Sequence, residues 1–297
     1  MPSLAELFPG VRTDEPLSRH SQFGVGGPAD WFFSAPTVES LAEVVAAATS
    51  MGIPVTPIGA GSNTLILDRG VRGLVVQLAH KEVNMTAEGL LVSAGTMMPR
   101  LALDAARQGF SGLSFGIGVP GSTGGSIRGN AGAFGSEIAG VLVQCEVLDT
   151  RGNSRTISAE ECEFGYRDSR FKRDWIDLMI VSGTFTVGRS DPHVLQQEVK
   201  AIQQQRKASQ PYGIRSLGSV FKNPEGDYAG RLLEAAGMKG MVLGGAQVSP
   251  VHANFIVNVR HARAADVLAL LELGRERVSR QFGVTLEPEI VVMGEKD

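Results

Sequence analysis

Residues 109–135 read GFSGLSFGIGVPGSTGGSIRGNAGAFG, and this stretch limits the possible fold more than any other. Seven glycines fall in its second part: Gly118, Gly121, Gly124, Gly125, Gly129, Gly132 and Gly135. Each glycine raises the entropy cost of ordering, so a packed helix or strand is not expected here. Glycine permits close backbone approach and positive φ, and both let successive backbone N–H groups converge on an anion. Pro120 fixes one φ, and Ser122, Thr123, Ser126 and Asn130 add neutral hydrogen-bonding groups. The stretch reads as a cradle for phosphate or pyrophosphate, with Pro120, Gly121, Ser122, Gly124, Gly125, Asn130 and Gly132 as candidate contacts. A flexible linker is the plainer alternative. Linkers rarely interleave apolar residues such as Phe115, Ile117, Val119, Ile127 and Phe134 with their glycines.

A second cradle lies upstream. The β-like run 53–58 leads into Gly59-Ala60-Gly61-Ser62-Asn63, and Thr64 to Leu67 resumes a strand-like pattern. A G-x-G after a strand invites the dinucleotide-fold reading. That reading fails, because position 64 is Thr rather than a third glycine, and another strand-like run follows instead of a helix. Two such loops could grip a long diphosphate ligand from both sides.

Glycine is the compositional outlier, at 37 of 297 residues against the usual ~7%. A net charge of −3 excludes a strongly basic nucleic-acid binder. The two cysteines, Cys145 and Cys162, are too few and too far apart for a metal motif and suggest a reducing compartment. The five histidines form no metal-ligand spacing, so no metal is expected. The N-terminal residues lack a basic segment followed by an apolar one, and no 18-residue apolar run exists. These features predict a cytoplasmic protein with no membrane partner.

The pattern predicts helices over 37–51, 99–108, 191–210, 227–236 and 264–282, and strands over 53–58, 176–187, 255–259 and 284–293. A hairpin is expected over 141–157, around Arg151-Gly152-Asn153. The polar, Gln-rich run 191–210 points to a boundary near 205–212.

Four further segments carry candidate chemistry. GSVFKNP at 218–224 sets Ser219, Lys222 and Asn223 close together between turn residues. FGYRDSR at 164–170 offers Tyr166 and Arg167, and an arginine fork suits a carboxylate. LEPEI at 286–290 places Glu287 and Glu289 at the start of an apolar run. His252 and Asn254 precede a strand. Taken singly, each also reads as an ordinary turn, a solvated strand start or a structural hydrogen-bonder.

Taken in order, these pieces resemble the UDP-N-acetylenolpyruvoylglucosamine reductase (MurB) family of peptidoglycan synthesis. The motifs are FGVGGPAD at 23–30, GAGSN at 59–63, GVPGSTGG and GNAGAFG within 118–135, FGYRDSRFK at 164–172, GSVFKNP at 218–224, HANFIVN at 252–258 and LEPEI at 286–290. The resemblance implies an α+β protein. A two-lobed FAD-binding domain of the p-cresol methylhydroxylase (PCMH) type would span 1–205, with lobes at about 20–75 and 76–190. A smaller α+β substrate-binding domain would follow at 206–297. It implies that NADPH reduces the flavin, and that the enolpyruvyl group of UDP-N-acetylglucosamine enolpyruvate is reduced to give UDP-N-acetylmuramate. By the same matching, Arg167 binds the substrate carboxylate, Glu289 assists enol stabilisation and Ser219 is the proton donor. Tyr166, Lys222 and Asn223 become substrate contacts, the last two near the UDP diphosphate. Gly59, Ala60, Gly61, Ser62 and Asn63 join the glycine-rich stretch as flavin contacts.

Two departures stand out. Some members carry a substrate-clamping tyrosine on an extra loop between the YRDS and GSxF motifs. Here only Tyr212 lies between Arg167 and Ser219, in a QPYGIRS context unlike that loop, so the chain resembles the shorter type II form. The usual Asn-Thr before the first glycine motif is His20-Ser21. Two other readings compete: a different flavin oxidoreductase of the same fold, and a non-catalytic nucleotide-sugar binder. Flavin oxidases of this fold often attach FAD through His or Cys in the cradles. Neither cradle here contains one, which favours non-covalent FAD.

Overall fold

The computed structural model describes residues 3–296. They form two compact units. The first comprises residues up to Thr13, Asp30–Ala60 and Gly73–Arg206; the second comprises Asp14–Ala29, Gly61–Arg72 and the residues from Lys207 onward.

A four-stranded sheet in the order Arg12–Pro16, Pro28–Ala35, Val71–Leu78, Val55–Pro57 lies largely in the first unit. Val55–Pro57 runs parallel to its neighbour, with Val55 opposite Leu74. Parallel strands need a crossover, and here residues 58–70 supply it with the strand Thr64–Ile66 rather than a helix. The helix Val38–Ser50 lies just before Val55–Pro57, within the predicted range. Thr37 accepts at its Oγ1 from the Ser40 N–H at 3.2 Å, and Gly52 ends the helix at φ +73°. Its buried face, Leu41, Val44, Val45 and Ala48, packs with Phe33, Leu74 and Val76. Burial of each large aliphatic side chain is worth roughly 1.5–3 kcal/mol.

A second, antiparallel sheet of the same unit has the order Ser154–Ser158, Leu142–Leu148, Met179–Phe185, Leu90–Ser93, Val83–Met85. The expected hairpin is its first pair. The helices Met98–Arg107 and Thr123–Arg128 contribute Met98, Leu101 and Ile127 to its core, beside Phe115, Phe171 and Phe185.

The second unit holds an antiparallel sheet in the order Ser216–Ser219, Phe255–Asn258, Ala246–Val248, Val242–Leu243. The helices Ala229–Ala235 and Ala264–Phe282 pack on one another, and Val267, Leu270, Leu271 and Val278 of the longer helix are buried. Its Ala264 and Ala265 N–H groups are capped by the Asp68 carboxylate at 2.9 and 3.2 Å, where a negative charge also suits the helix dipole. Gly283, at φ +70°, closes the other end.

Two expectations are corrected here. The run 284–293 is strand only at Val291–Met293, which pairs in parallel with Thr64–Ile66. Pro288 lacks the N–H a ladder needs, and residues 284–290 make one isolated bridge, Phe221 with Pro288. The glycine-rich stretch, expected to exclude a packed helix, contains the helix Thr123–Arg128. Side-chain bonds offset the glycines there: Ser122 Oγ accepts from the Gly125 N–H, and Ser126 Oγ donates to the Ser122 carbonyl at 2.8 Å.

Candidate functional site

In the first unit, the Gly59-Ala60 loop leaves the C-terminal end of Val55–Pro57, where open α/β sheets bind ligands. The Gly59 carbonyl accepts from Gln77 Nε2 at 2.6 Å. A Cβ at Gly59 would lie 2.6 Å from Ser122 Oγ, so the bare backbone lets the two cradles approach. A Cβ at Gly124 would lie 2.8 Å from the Ala94 Cβ. Gly59, Ala60, Ser122, Gly124 and Gly125 share one cavity of about 360 Å³. Its remaining lining includes Leu41, Val76, Leu178, Ile180, Lys81 and Arg128.

The glycines do not act as the sequence suggested. Of the seven between 118 and 135, only Gly135 has positive φ. The left-handed positions in that stretch include Asn130 (φ +43°) and Phe134 (φ +53°). Nor do the N–H groups of Thr123, Gly124 and Gly125 converge outward. They donate to the Thr96 carbonyl, the Ala94 carbonyl and Ser122 Oγ. What the glycines of this helix provide is closeness of backbone to Ala94 and an unobstructed cavity wall.

The lining fits a diphosphate-bearing dinucleotide such as FAD. A Cβ at Gly59 would crowd Ser122 beside the cavity, the lining is largely apolar, and among the described residues its only charged members are the cations Lys81 and Arg128. Burial pulls the Arg128 guanidinium below its ordinary pKa, with Asp177 partly opposing. Sequence reasoning passed over Arg128. The available signal was a single cation set among glycines, in Gly124-Gly125-Ser126-Ile127-Arg128-Gly129.

Other cradle residues do different work. Asn130 is fully buried: its Nδ2 donates to the Gly165 carbonyl at 2.9 Å, and its Oδ1 accepts from the Ala139 N–H at 2.9 Å. It therefore braces the Gly165–Asp168 turn, whose end residues exchange backbone hydrogen bonds at 3.1 Å. Arg167 occupies the third position of this turn at φ +56°, a conformation usually left to glycine and costly for other residues. Its Nη2 donates to the Gly132 carbonyl at 2.7 Å, and its own carbonyl accepts from Lys172 Nζ at 2.9 Å. Tyr166, half exposed, has the Arg167 guanidinium 5.2 Å from its ring centre. Pro120 and Gly121 lead into the Ser122 cap, and the Gly121 carbonyl accepts from the Met98 N–H at 3.0 Å.

In the second unit, Ser219 ends the strand Ser216–Ser219. Ser216 faces Val257 and Ser219 faces Phe255, so the pairing contains a bulge. Gly218, at φ +73°, sits in it, and a bulge of this kind re-aims the following side chain. Asn254, 3% exposed, fixes the next residues: it accepts from the Phe221 N–H at 3.0 Å and donates to the Phe221 carbonyl at 2.8 Å. The Glu289 N–H donates to the Val220 carbonyl at 2.9 Å, and Asn63 Nδ2 donates to the Glu289 carbonyl at 3.1 Å. The structure thus brings Asn63, Ser219 and Glu289 into one neighbourhood. Asn63 Oδ1 is buried without a hydrogen-bond partner, an acceptor left for a ligand N–H or O–H. Gly61, at φ +61°, would clash at 2.2 Å with the His20 carbonyl if it carried a Cβ. Ser62 follows it, partly exposed.

Lys222 and Asn223, expected to contact substrate, have protein partners. Lys222 Nζ pairs with Glu287 Oε1 at 2.7 Å, and Asn223 Oδ1 accepts from the Ala229 N–H at 3.1 Å. Tyr212 is exposed, with Lys207 Nζ 4.8 Å from its ring centre. Among the described residues, no helix is long and apolar enough to cross a membrane, and no group of three or more His, Cys, Asp or Glu is placed to hold a metal.

Comparison with known proteins adds three findings. Residues 210–293 match the C-terminal domain model of UDP-N-acetylenolpyruvoylglucosamine reductase, and residues 29–158 match a FAD-binding domain model. The chain is 44% identical to a UDP-N-acetylenolpyruvoylglucosamine reductase of Chloroflexus aggregans, over 95% of this chain and 97% of that one. It is 40% identical to the enzyme of the same name from Rubrobacter xylanophilus, over 99% and 98% of the two chains. The crystal structure of the Thermus caldophilus UDP-N-acetylenolpyruvylglucosamine reductase (MurB) superposes with a TM-score of 0.80 at 34% identity, covering 93% of this chain and 97% of that one.

Proposed function

The chain belongs to the UDP-N-acetylenolpyruvoylglucosamine reductase family, and on that premise we infer that it is a flavoenzyme reducing UDP-N-acetylglucosamine enolpyruvate to UDP-N-acetylmuramate. Likeness over 95% of the chain carries this reading, and the cavity supports it. When bound, FAD supplies the hydride for the enolpyruvyl double bond, with NADPH as its own source. Gly59, Ala60, Ser122, Gly124 and Gly125 would hold the cofactor in the cavity they line. Gly61, Ser62 and Asn63 continue that loop, and Asn63 Oδ1 is suited to accept from the ligand. We assign flavin binding chiefly to 1–205 and substrate binding to 206–297. A nucleotide-sugar substrate and NADPH suit a cytoplasmic enzyme.

The residues' tasks follow from the substrate's chemistry. Its carboxylate is conjugated to the C=C bond, so addition at the far carbon moves negative charge onto the carboxylate oxygens. A group that binds the carboxylate more strongly as this charge grows lowers the barrier. Arg167 suits the task, since its fork reaches two oxygens and the Gly132 carbonyl orients it. Glu289 would assist the enol form, its backbone held by Val220 and Asn63. The α-carbon then needs a proton, and Ser219 Oγ donates it. A serine is a weak acid, but the carbanionic intermediate is a strong base, so a fixed hydroxyl suffices. Tyr166 presents an exposed ring to the substrate. Lys222 would meet the UDP diphosphate by exchanging its Glu287 partner for phosphate oxygens, with Asn223 beside it.

A visible absorption spectrum tests the reading. The purified chain should show flavin bands that NADPH bleaches and the enolpyruvyl substrate restores. A colourless protein with no affinity for FAD would overturn it.

A further inference from the structure

We propose that Arg128 is the cavity's anion-binding residue and contacts the diphosphate of the bound dinucleotide, so that it sets the preference for a diphosphate-bearing ligand over a nucleoside. This rests on the reading of the protein as a FAD enzyme.

Four observations lead here. Arg128 ends the helix Thr123–Arg128 and lines the cavity beside Ser122, Gly124 and Gly125. Its guanidinium is partly withdrawn from water, which penalises an uncompensated charge. Among the described residues it makes no side-chain hydrogen bond and no ion pair; only the field of Asp177 acts on it. The cavity lining has no carboxylate among the described residues, although it holds a second cation, Lys81. A partly desolvated cation whose nearby carboxylate, Asp177, makes no bond to it leaves its donors unmet, and withdrawn charges are ordinarily paired. An anionic ligand resolves this.

On the Arg128 side of the cavity the helix backbone contributes little. The N–H groups of Thr123, Gly124 and Gly125, which a phosphate cradle would aim at the anion, are bonded within the protein. Counter-charge on this side therefore comes from side chains, and a guanidinium offers two parallel donors to a phosphate. The Arg128 carbonyl is held by Ser169 Oγ at 2.6 Å, so a side-chain substitution leaves that bond in place.

The test uses the full chain freed of flavin, with calorimetric titration of FAD, ADP and adenosine. The wild type should bind ADP far more tightly than adenosine. Arg128→Gln should weaken FAD and ADP by about 10- to 100-fold, the range of a charge-assisted hydrogen bond, and leave adenosine within about twofold. Arg128→Lys should fall between, and added salt should weaken ADP binding less in the Gln variant. Unchanged ADP affinity in Arg128→Gln overturns the proposal. So does an equal loss for ADP and adenosine, which would show that Arg128 shapes the cavity. If the wild type itself takes up no FAD, the flavoenzyme reading fails and the proposal with it. A wild type that binds FAD beside an indifferent variant refutes the proposal alone.

Discussion

Arg167 Nη2 donates to the Gly132 carbonyl oxygen at 2.7 Å. The bond ties the turn at Gly165–Asp168 to the end of the glycine-rich stretch, and it fixes the plane of a guanidinium that stands on a strained backbone at φ +56°.

Arg167→Lys should lower substrate-dependent turnover by about 10²-fold or more, because a lysine cannot hold the Gly132 carbonyl and present a planar pair of donors. Flavin content should remain that of the wild type. Steady-state assays with an absorption spectrum check both, and near-normal turnover would remove Arg167 from the mechanism.

Ser219→Ala should separate the half-reactions. Bleaching of the flavin by NADPH needs no proton from Ser219 and should keep its rate. Reoxidation by substrate should slow by on the order of 10²-fold or more, the range of general acid catalysis. Ser219→Cys should lie between, since a thiol still donates. Stopped-flow absorbance reads each half. Equal reoxidation rates in the alanine variant would pass the role to Glu289.

Gly124→Val should reduce flavin affinity and stability together, because a Cβ there would meet the Ala94 Cβ at 2.8 Å. Gly125→Ala should be milder: its Cβ would meet only Ser122 Oγ, at 3.4 Å. Full flavin content in the Gly124 variant would place the diphosphate elsewhere.

His252 should make the fold sensitive to acid. Burial, with help from Lys239, lowers its pKa below the ordinary 6.5, and its Nδ1 accepts from the Asn254 N–H at 3.1 Å. Above the unfolded value both states are neutral and the group contributes no pH dependence. As pH falls below it, the unfolded chain takes the proton first and stability drops until the folded pKa is reached. Urea midpoints between about pH 7.5 and pH 5 should therefore decline less steeply in His252→Gln than in the wild type. Parallel profiles would show that His252 is not the group responsible.

Local pattern made some of this molecule readable and hid the rest. The helix Ala264–Phe282 was legible to the residue, because its apolar spacing and Gly283 are both local. Ser219 and Glu289 could be singled out only through family motifs. Their proximity depends on the Glu289–Val220 backbone bond, which joins segments far apart in the chain. The run 284–293 reads as apolar strand, but pairing partners decide strands: only Val291–Met293 found a ladder, and residues 284–290 make a single bridge. Composition alone misjudged the glycine-rich stretch, since the hydroxyls of Ser122 and Ser126 bind a helix that glycine content opposes. Arg128 escaped notice because burial of a cation depends on what packs around it.

The second unit draws its core from three separate lengths of chain: Phe23 and Val25, then Leu65 and Leu67, then residues beyond Lys207. A ribosome makes them in that order. The first two lengths emerge on the order of ten seconds before the third at ordinary elongation rates, while the first unit is complete once Arg206 has emerged. During that interval Phe23, Val25, Leu65 and Leu67 have only one another out of the core they later share, and apolar surface of this kind is what chaperones bind. A nascent chain with Arg206 just outside the ribosome would thus carry a complete first unit and two apolar segments without most of their core, and emergence of the remaining residues is what lets the second unit close.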